Sequence, residues 1–266
     1  MPRFAANLSM MFNEAPFLDR FAAAAEAGFA GVEYLFPYEH SPELIAERLE
    51  TYELDNVLFN LPPGDWASGE RGIACIPGRE NEFRASVATA VEYALRLNTT
   101  RLHAMAGIAA ANASPADLRS TYVSNLRYAA AECAKRNITL LIEAINTRDI
   151  PGFYLNTQAQ AFAILQEVGA PNLKMQMDCY HMQIMEGDLA VKLKQYASHC
   201  GHVQIASVPK RNEPDSGEVN YPYLFQWLDE IGYTGWIGCE YRPAGNTVEG
   251  LTWFKNLSGR TVPARE

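Results

Sequence analysis

The chain has 266 residues, of which 48% are hydrophobic, and its formal net charge is −9. This length suits one large domain, and a (β/α)₈ barrel typically takes roughly 250 residues. An acidic surface repels phosphate backbones, so we do not expect nucleic-acid binding. No apolar stretch approaches the roughly 20 residues that span a bilayer, and the start does not resemble a signal peptide. We therefore expect a cytoplasmic protein without membrane contact.

The five cysteines are scattered along the chain, and none forms a C-x-x-C pair. This pattern indicates reduced thiols in a reducing compartment rather than disulfides or a thiolate metal site. The sequence does not distinguish a monomer from a homo-oligomer.

Strand-like apolar runs alternate with helical segments, with turn residues between them. Ser41 followed by Pro42 is typical of a helix start, and Gly169 follows a segment that is expected to be helical. The predicted strands are 3–9, 31–36, 55–62, 101–107, 138–145, 173–178, 202–207 and 235–241. The predicted helices are 16–27, 42–52, 80–97, 114–136, 157–168, 188–198, 221–232 and 247–257.

Eight strand–helix units in succession predict a parallel sheet with right-handed crossovers that closes into a (β/α)₈ TIM barrel. We assign residues 1–258 to this single domain and 259–266 to a C-terminal tail. An open doubly wound sheet is the alternative. No G-x-G-x-x-G follows the first strand, so the alternative lacks the usual dinucleotide-binding loop.

Four residues with oxygen ligands lie near the ends of the last four predicted strands: Glu143, Asp178, Gln204 and Glu240. Their spacings of 35, 26 and 36 residues match the length of a strand–helix unit. Because the strands of a barrel end at one mouth, we expect these side chains to converge there. Three carboxylates and an amide are a hard-oxygen site, which favours one divalent cation, Mg²⁺ or Mn²⁺.

A cation with four protein ligands leaves positions for two adjacent oxygens of an α-hydroxy-carbonyl substrate. It would polarise the carbonyl and stabilise an enediolate. Glu143 and Glu240 are the candidate acid and base, which would move a proton between neighbouring carbons.

Further polar residues near the predicted mouth are candidates for substrate binding. His181 follows Asp178 by three residues, on what we predict to be a turn from strand to loop. Arg211 follows the seventh strand, and arginine is the usual partner of a substrate carboxylate. His103 on the fourth strand and Asn7 on the first complete this group.

The loop that follows the third strand is long and contains four glycines. Loops of this length inside a compact domain are usually functional. Glu70 and Arg71 lie in it together with Trp66, and we predict a lid that contacts the substrate and excludes water.

At these residues the chain resembles the hydroxypyruvate isomerase family, which belongs to the xylose isomerase-like barrels. The resemblance covers nearly the whole chain and includes RFAANLSMMF, GVEYLFPYEH, PGDWASGERGIACIPGRENEFR, LIEAIN with DIPGF, DCYHMQIMEGDL, HVQIAS, EPDSGEVNYPYLF and GWIGCEYRP. It implies one divalent cation held by Glu143, Asp178, Gln204 and Glu240, with the two glutamates as the catalytic pair. The related ketose epimerases have a histidine where this chain has Gln204.

Two activities on small sugar acids fit this branch. The preferred one is the isomerisation of 2-oxo-tetronate to 3-oxo-tetronate, because MPRFAANLSMMF and RLHAMAG resemble the oxo-tetronate isomerases. The other is the interconversion of hydroxypyruvate and tartronate semialdehyde. The strings GERGIACIPGRE and EAIN with DIPGF resemble the hydroxypyruvate isomerases, which catalyse it. An endonuclease IV type of nuclease and a non-catalytic metabolite-binding barrel are the less favoured alternatives.

Overall fold

The computed structural model describes residues 3–109 and 113–258, and the predicted tail at 259–266 lies outside this part. Eight parallel strands close into a barrel in chain order, with the first strand paired to the eighth. The predicted (β/α)₈ fold is confirmed. The strands are β1 (Arg3–Asn7), β2 (Gly31–Tyr34), β3 (Asp55–Asn60), β4 (Arg101–His103), β5 (Thr139–Glu143), β6 (Leu173–Asp178), β7 (Cys200–Ile205) and β8 (Trp236–Cys239).

Helices surround this barrel, and each crossover contains at least one. In the described part of the chain they are α1 (Arg20–Glu26), α2 (Pro42–Thr51), α3 (Glu80–Arg96), α4 (Pro115–Ala134), α5 (Gln158–Val168), α6 (Cys179–Met185), α7 (Leu189–Gln195), α8 (Tyr221–Glu230), α9 (Thr247–Gly250) and α10 (Thr252–Ser258). Two short 3₁₀ turns, Phe17–Asp19 and Ala197–His199, also lie in this part of the chain.

The helix boundaries follow local chemistry that is visible in the sequence. Ser41 caps α2 by accepting a hydrogen bond from the N–H of Leu44, and Pro42 occupies the first turn, where its missing N–H costs nothing. Gly169 ends α5 in the left-handed conformation, with φ of 72°. These predicted boundaries are confirmed.

The core has two parts. Most buried apolar residues form one cluster between the strands and the surrounding helices. In this cluster, where the first and last strands pair, the ring of Phe4 in β1 makes edge contacts with Phe225 of α8 and Trp253 of α10. A smaller cluster joins β1, β3, β5 and β8, namely Ala5, Val57, Leu58, Leu141 and Trp236. Strands on opposite sides of a barrel can meet only through its interior, so this second cluster lies inside the barrel.

Two elements near the mouth differ from the sequence prediction. The fourth strand ends at His103 rather than at 107, because residues 104–107 leave β3 and Ala106 instead accepts a hydrogen bond from the N–H of Cys75. The segment after Asp178 was predicted to be a turn, but it is α6. Asp178 caps this helix directly from the end of β6.

All five cysteines are free, as predicted. Among residues 3–109 and 113–258, no helix has both the length and the apolar character needed to cross a membrane.

The long loop between β3 and α3 packs against the end of β4 through two glycines. Gly72 and Gly107 have φ of 99° and 110°, which side-chain-bearing residues rarely adopt. A Cβ on Gly72 would lie 2.5 Å from the Cβ of Met105. Glycine at 72 therefore lets the loop backbone lie directly on the strand end beside the mouth.

We expect Gly72→Ala to destabilise the protein more than Gly69→Ala does. Gly69 lies in the same loop with φ of 96°, but nothing lies within 4 Å of a Cβ built there. The control should therefore lose only the conformational cost, about 1–2 kcal/mol. Gly72→Ala should lose a further ~1–3 kcal/mol through overpacking. Urea unfolding of both variants measures the difference, and equal losses would contradict the close approach.

Candidate active site

Three carboxylates and one imidazole converge at the C-terminal mouth of the barrel. Glu143 ends β5, Asp178 ends β6, Glu240 directly follows β8, and His181 lies in the first turn of α6. One ligand atom from each of these four side chains lies within 4.8 Å of the others, and all four residues are buried. Barrel closure thus brings together residues that are up to 97 positions apart in the chain.

The donor set fits a cation. The N–H groups of Tyr180 and His181 donate to Oδ1 of Asp178, at 2.7 and 3.4 Å, which leaves Oδ2 without a hydrogen-bond partner. Oε1 of Glu143 is also buried without one. Buried polar atoms normally have partners, so two bare carboxylate oxygens in one cluster are what a hard cation would satisfy.

Burial and mutual repulsion disfavour the charged forms of these acids. Burial, and then the charges of Glu240 and Asp178, raise the pKa of Glu143 well above its usual range. Burial raises the pKa of Glu240 to about 8, although Arg211 acts in the opposite direction. The pKa of Asp178 is also raised, again mainly by burial. A divalent cation would remove this penalty, because it stabilises the ionised forms.

Arg211 enters the cluster from the loop after β7. Its N–H donates to the carbonyl oxygen of Ser207, and its φ of 57° turns the chain there. Nη2 donates to Oε2 of Glu240 and lies 3.8 Å from Oδ2 of Asp178, while Nη1 lies 3.5 Å from Asp149. The predicted substrate-binding arginine is therefore at the mouth, where it partly neutralises the acids.

The orientation of His181 is fixed by Asn146, the third residue after Glu143. Nδ1 of the histidine accepts from the backbone N–H of Asn146 at 3.3 Å, and the side-chain amide lies 2.6 Å away. Burial, and then the charge of Arg211, lower the pKa of His181 well below its usual range. A neutral imidazole that accepts at Nδ1 carries its proton on Nε2, which lies 3.7 Å from both Glu143 and Asp178 and 3.4 Å from Nη2 of Arg211. It can donate a hydrogen bond to a substrate oxygen.

His103 and Asn7 lie behind the acids. Nδ1 of His103 is 3.1 Å from Oδ1 of Asn60 and 3.8 Å from Glu143, and burial lowers the pKa of the ring to about 3. The amide of Asn7 donates to Oε1 of Glu240 at 3.3 Å. Both residues are buried beside the catalytic candidates, and their direct contact with substrate stays a prediction.

Gln204 pairs with Asp178 in the β6–β7 register. Its side chain is buried and lies between two partners. It donates from Nε2 to Glu33 at 2.7 Å and accepts at Oε1 from Gln176 at 2.6 Å. A carbonyl oxygen has two lone pairs, so one stays available, and the ligand role of Gln204 stays a prediction.

Glu70 and Arg71 stabilise the long loop itself. Glu70 forms an ion pair with Arg79 and accepts from the N–H of Asp65. Arg71 stacks on the ring of Trp66, 3.8 Å from its centroid. These contacts occupy both side chains, so the proposed contact of this pair with substrate remains a prediction.

Sequence reasoning missed several residues of the site. Glu33, Gln176 and His202 are buried in the barrel interior beneath the mouth, and Asp149 contacts Arg211. A charged residue inside the apolar run GVEYLF was the available signal for Glu33.

Fold and site together define the class: a (β/α)₈ barrel with a buried, oxygen-rich centre at its catalytic end that could hold a metal ion. Residues 21–257 match the family model of the xylose isomerase-like TIM barrel. A 2-oxo-tetronate isomerase of Cupriavidus necator is 57% identical over 98% of this chain and 100% of its own length. A hydroxypyruvate isomerase of Escherichia coli is 51% identical over 96% of this chain and 98% of its own length.

Solved structures give the same relationship. A crystal structure described as an AP endonuclease, family 2, from Brucella melitensis is 53% identical, with a TM-score of 0.95 over 96% of this chain and 99% of its own. A D-psicose 3-epimerase from Clostridium cellulolyticum H10 is 16% identical with a TM-score of 0.76, over 98% of this chain and 93% of its own, and shares the fold. The chain belongs to the xylose isomerase-like TIM barrel family, in the branch of the hydroxypyruvate and 2-oxo-tetronate isomerases, and it is an isomerase. The resemblance found in the sequence is confirmed.

We expect the metal-free protein to lose stability as the pH rises from about 5 to about 8. In this range the folded chain keeps a proton on Glu240, whose pKa is raised to about 8, whereas the unfolded chain has released it. The contribution of Glu240 to stability is therefore fully present below the unfolded pKa, about 4.3, and is lost as the pH rises through the folded pKa. A cation binds the ionised acids, so the gain in Tm on adding Mn²⁺ should grow with pH.

Thermal unfolding in EDTA and in Mn²⁺, at about pH 5 and about pH 8, measures both effects. Glu143→Gln is the control, because removing one of the three carboxylates should flatten the pH dependence in EDTA. A gain in Tm that is independent of pH would contradict the assignment of these acids as the cation site.

Proposed function

We propose that the protein isomerises 2-oxo-tetronate to 3-oxo-tetronate with the help of one divalent cation, Mg²⁺ or Mn²⁺. The observation that carries this proposal is the buried cluster that contains Glu143 and Glu240, in which Oε1 of Glu143 and Oδ2 of Asp178 have no hydrogen-bond partner. The substrate follows from the C. necator relative, whose name states this activity and which matches along its whole length.

Glu143, Asp178, Glu240 and the Oε1 of Gln204 would hold the cation. When bound, it polarises the substrate carbonyl and stabilises the enediolate that isomerisation requires. The chain supplies the proton transfer: one glutamate takes a proton from C3 of the substrate and the other delivers a proton to C2, while the proton of the C3 hydroxyl moves to the C2 oxygen. Burial at the mouth keeps water away from the reactive enediolate.

His181 and Arg211 would bind the substrate in this scheme. The neutral His181 presents its Nε2–H toward the acids and can donate to a substrate oxygen. Arg211 already contacts Glu240 and Asp178. A substrate carboxylate that enters the mouth could replace one of these two as its partner. No nucleic acid or membrane is needed as a partner.

Hydroxypyruvate isomerisation is the second candidate, which the E. coli relative favours. The two substrates share a carboxylate next to an oxo group and differ by one carbon. A pocket discriminates such a difference by about 1–3 kcal/mol. A nuclease is not favoured, because the cluster has one histidine among three carboxylates and the chain carries a net charge of −9.

An assay of both substrates in parallel tests the choice. Purified protein, first treated with EDTA, is given Mg²⁺ or Mn²⁺, and isomer formation is followed by NMR in deuterated water. We expect a higher kcat/KM with 2-oxo-tetronate and deuterium incorporation at the receiving carbon. A preference for hydroxypyruvate would favour the second candidate. Binding of either acid without isotope exchange would indicate a metabolite-binding barrel.

Replacing either catalytic candidate should nearly abolish turnover. We expect Glu143→Gln and Glu240→Gln each to lower kcat by at least about 10²–10⁴-fold, the usual share of general acid–base catalysis. Glu92→Gln, on the exposed side of α3, is the matched control and should leave kcat unchanged. Circular dichroism would verify the fold of all three variants. Near-normal rates from either site variant would contradict the assigned roles.

A further inference from the structure

On the far side of the barrel from Asp178, a fourth carboxylate is buried. Glu33 lies in the middle of β2 and is only 1% exposed. It is not among the four side chains whose ligand atoms cluster at the mouth. Buried carboxylates are costly unless they are fully hydrogen-bonded, so a glutamate at this position needs a structural or functional reason.

Three side chains surround this carboxylate. Oε1 accepts from the amide of Asn7 at 3.0 Å and from Nε2 of Gln204 at 2.7 Å. Oε2 lies 2.7 Å from Nε2 of His202. The strands β1, β2 and β7 thus meet at Glu33, in contact with the candidate ligand Gln204.

The contact with Gln204 determines which end of its amide faces Glu33 and which end faces away. A carboxylate only accepts hydrogen bonds, so the NH₂ group of Gln204 must face Glu33. Its Oε1 then points to the other side, where Gln176 donates to it at 2.6 Å and a second lone pair stays available. A hard cation binds an amide through oxygen, so the reversed amide would present two N–H groups and no ligand.

The barrel makes room for Glu33 at the neighbouring strand. A Cβ on Gly238 of β8 would lie 2.5 Å from Oε1 of Glu33 and 2.6 Å from its Cδ. Gly238 pairs in register with Gln204, so the position without a side chain lies beside the residue that Glu33 contacts.

We propose that Glu33 is a positioning residue that fixes the amide of Gln204 with its oxygen toward the cation. This inference rests on the proposed function, because it takes Gln204 as a ligand. Glu33 itself touches neither the cation nor the substrate. It acts by orienting the neutral amide of Gln204, which could otherwise rotate and present its NH₂ group in place of its oxygen.

Mn²⁺ binding to the EDTA-treated protein, followed by electron paramagnetic resonance of the free ion, tests this inference without any turnover. Glu33→Gln keeps the size of the side chain but places a donor amide among three donors. We expect its Kd for Mn²⁺ to rise by 10–100-fold, the usual effect of losing a group that orients a metal ligand. Asn56→Ala is the control, because it loses a buried hydrogen bond to Thr99 elsewhere in the barrel and should bind Mn²⁺ normally.

A double-mutant cycle separates orientation from a general effect of charge. If Glu33 acts through the amide, Glu33→Gln should cause no further loss in a Gln204→Ala background. An equal loss with and without the amide would overturn the inference and indicate a charge effect instead. Should Glu33→Gln fail to fold, Gly238→Ala displaces the same carboxylate and should weaken Mn²⁺ binding in the same amide-dependent way.

The outcomes also distinguish this inference from the proposed function. Normal Mn²⁺ binding by Glu33→Gln, with tight binding by the parent, overturns the positioning role alone. If the parent protein binds no Mn²⁺, the metal centre on which both proposals depend is overturned.

Discussion

The central constraint on this structure is electrostatic: three carboxylates lie close together in a buried cluster at the mouth of the barrel. Burial raises the pKa of Glu143, Asp178 and Glu240, and the neighbouring carboxylates raise that of the two glutamates further. Groups with like charge at such short range are not held together without a counter-charge or a proton. The closed barrel forces them together, because each lies at or next to the end of a strand whose position the hydrogen-bonded register fixes. The fold therefore concentrates negative charge at a buried place, where a cation could balance it.

Asp178 shows how much of this arrangement depends on one residue. It ends β6, it caps α6 with one oxygen, and it leaves the other oxygen bare at the mouth. The cap also places His181 in the first turn of that helix, where its ring faces Glu143 and Asp178. The direct passage from strand to helix, with no loop between, thus sets the distance between a ligand candidate and a hydrogen-bond donor.

The sequence predicts the barrel and its acidic mouth because both depend on patterns of short range. Apolar runs separated by caps give the units, and parallel strands bring their ends to one side, so the convergence of Glu143, Asp178 and Glu240 needs no further information. The contacts of Glu33 could not be predicted in this way. They depend on which residues face each other across the barrel, at separations of 26 to 171 positions, and on the space left by Gly238. Likewise, the ion pair of Glu70 with Arg79 depends on the path of a loop whose shape is set by close backbone contacts.

The charges at the mouth also fit the proposed proton transfer. Three ionised carboxylates carry three negative charges, of which a divalent cation would balance two, leaving the third to Arg211. If one glutamate carries the proton taken from the substrate, the cluster is neutral, and Arg211 is free to pair with the carboxylate of a sugar acid. A neutral amide as the fourth ligand preserves this balance, whereas a fourth carboxylate would not. The amide has the disadvantage that only one of its ends can bind a cation. An acceptor-only group such as Glu33, placed against the other end, is the physical remedy for that ambiguity.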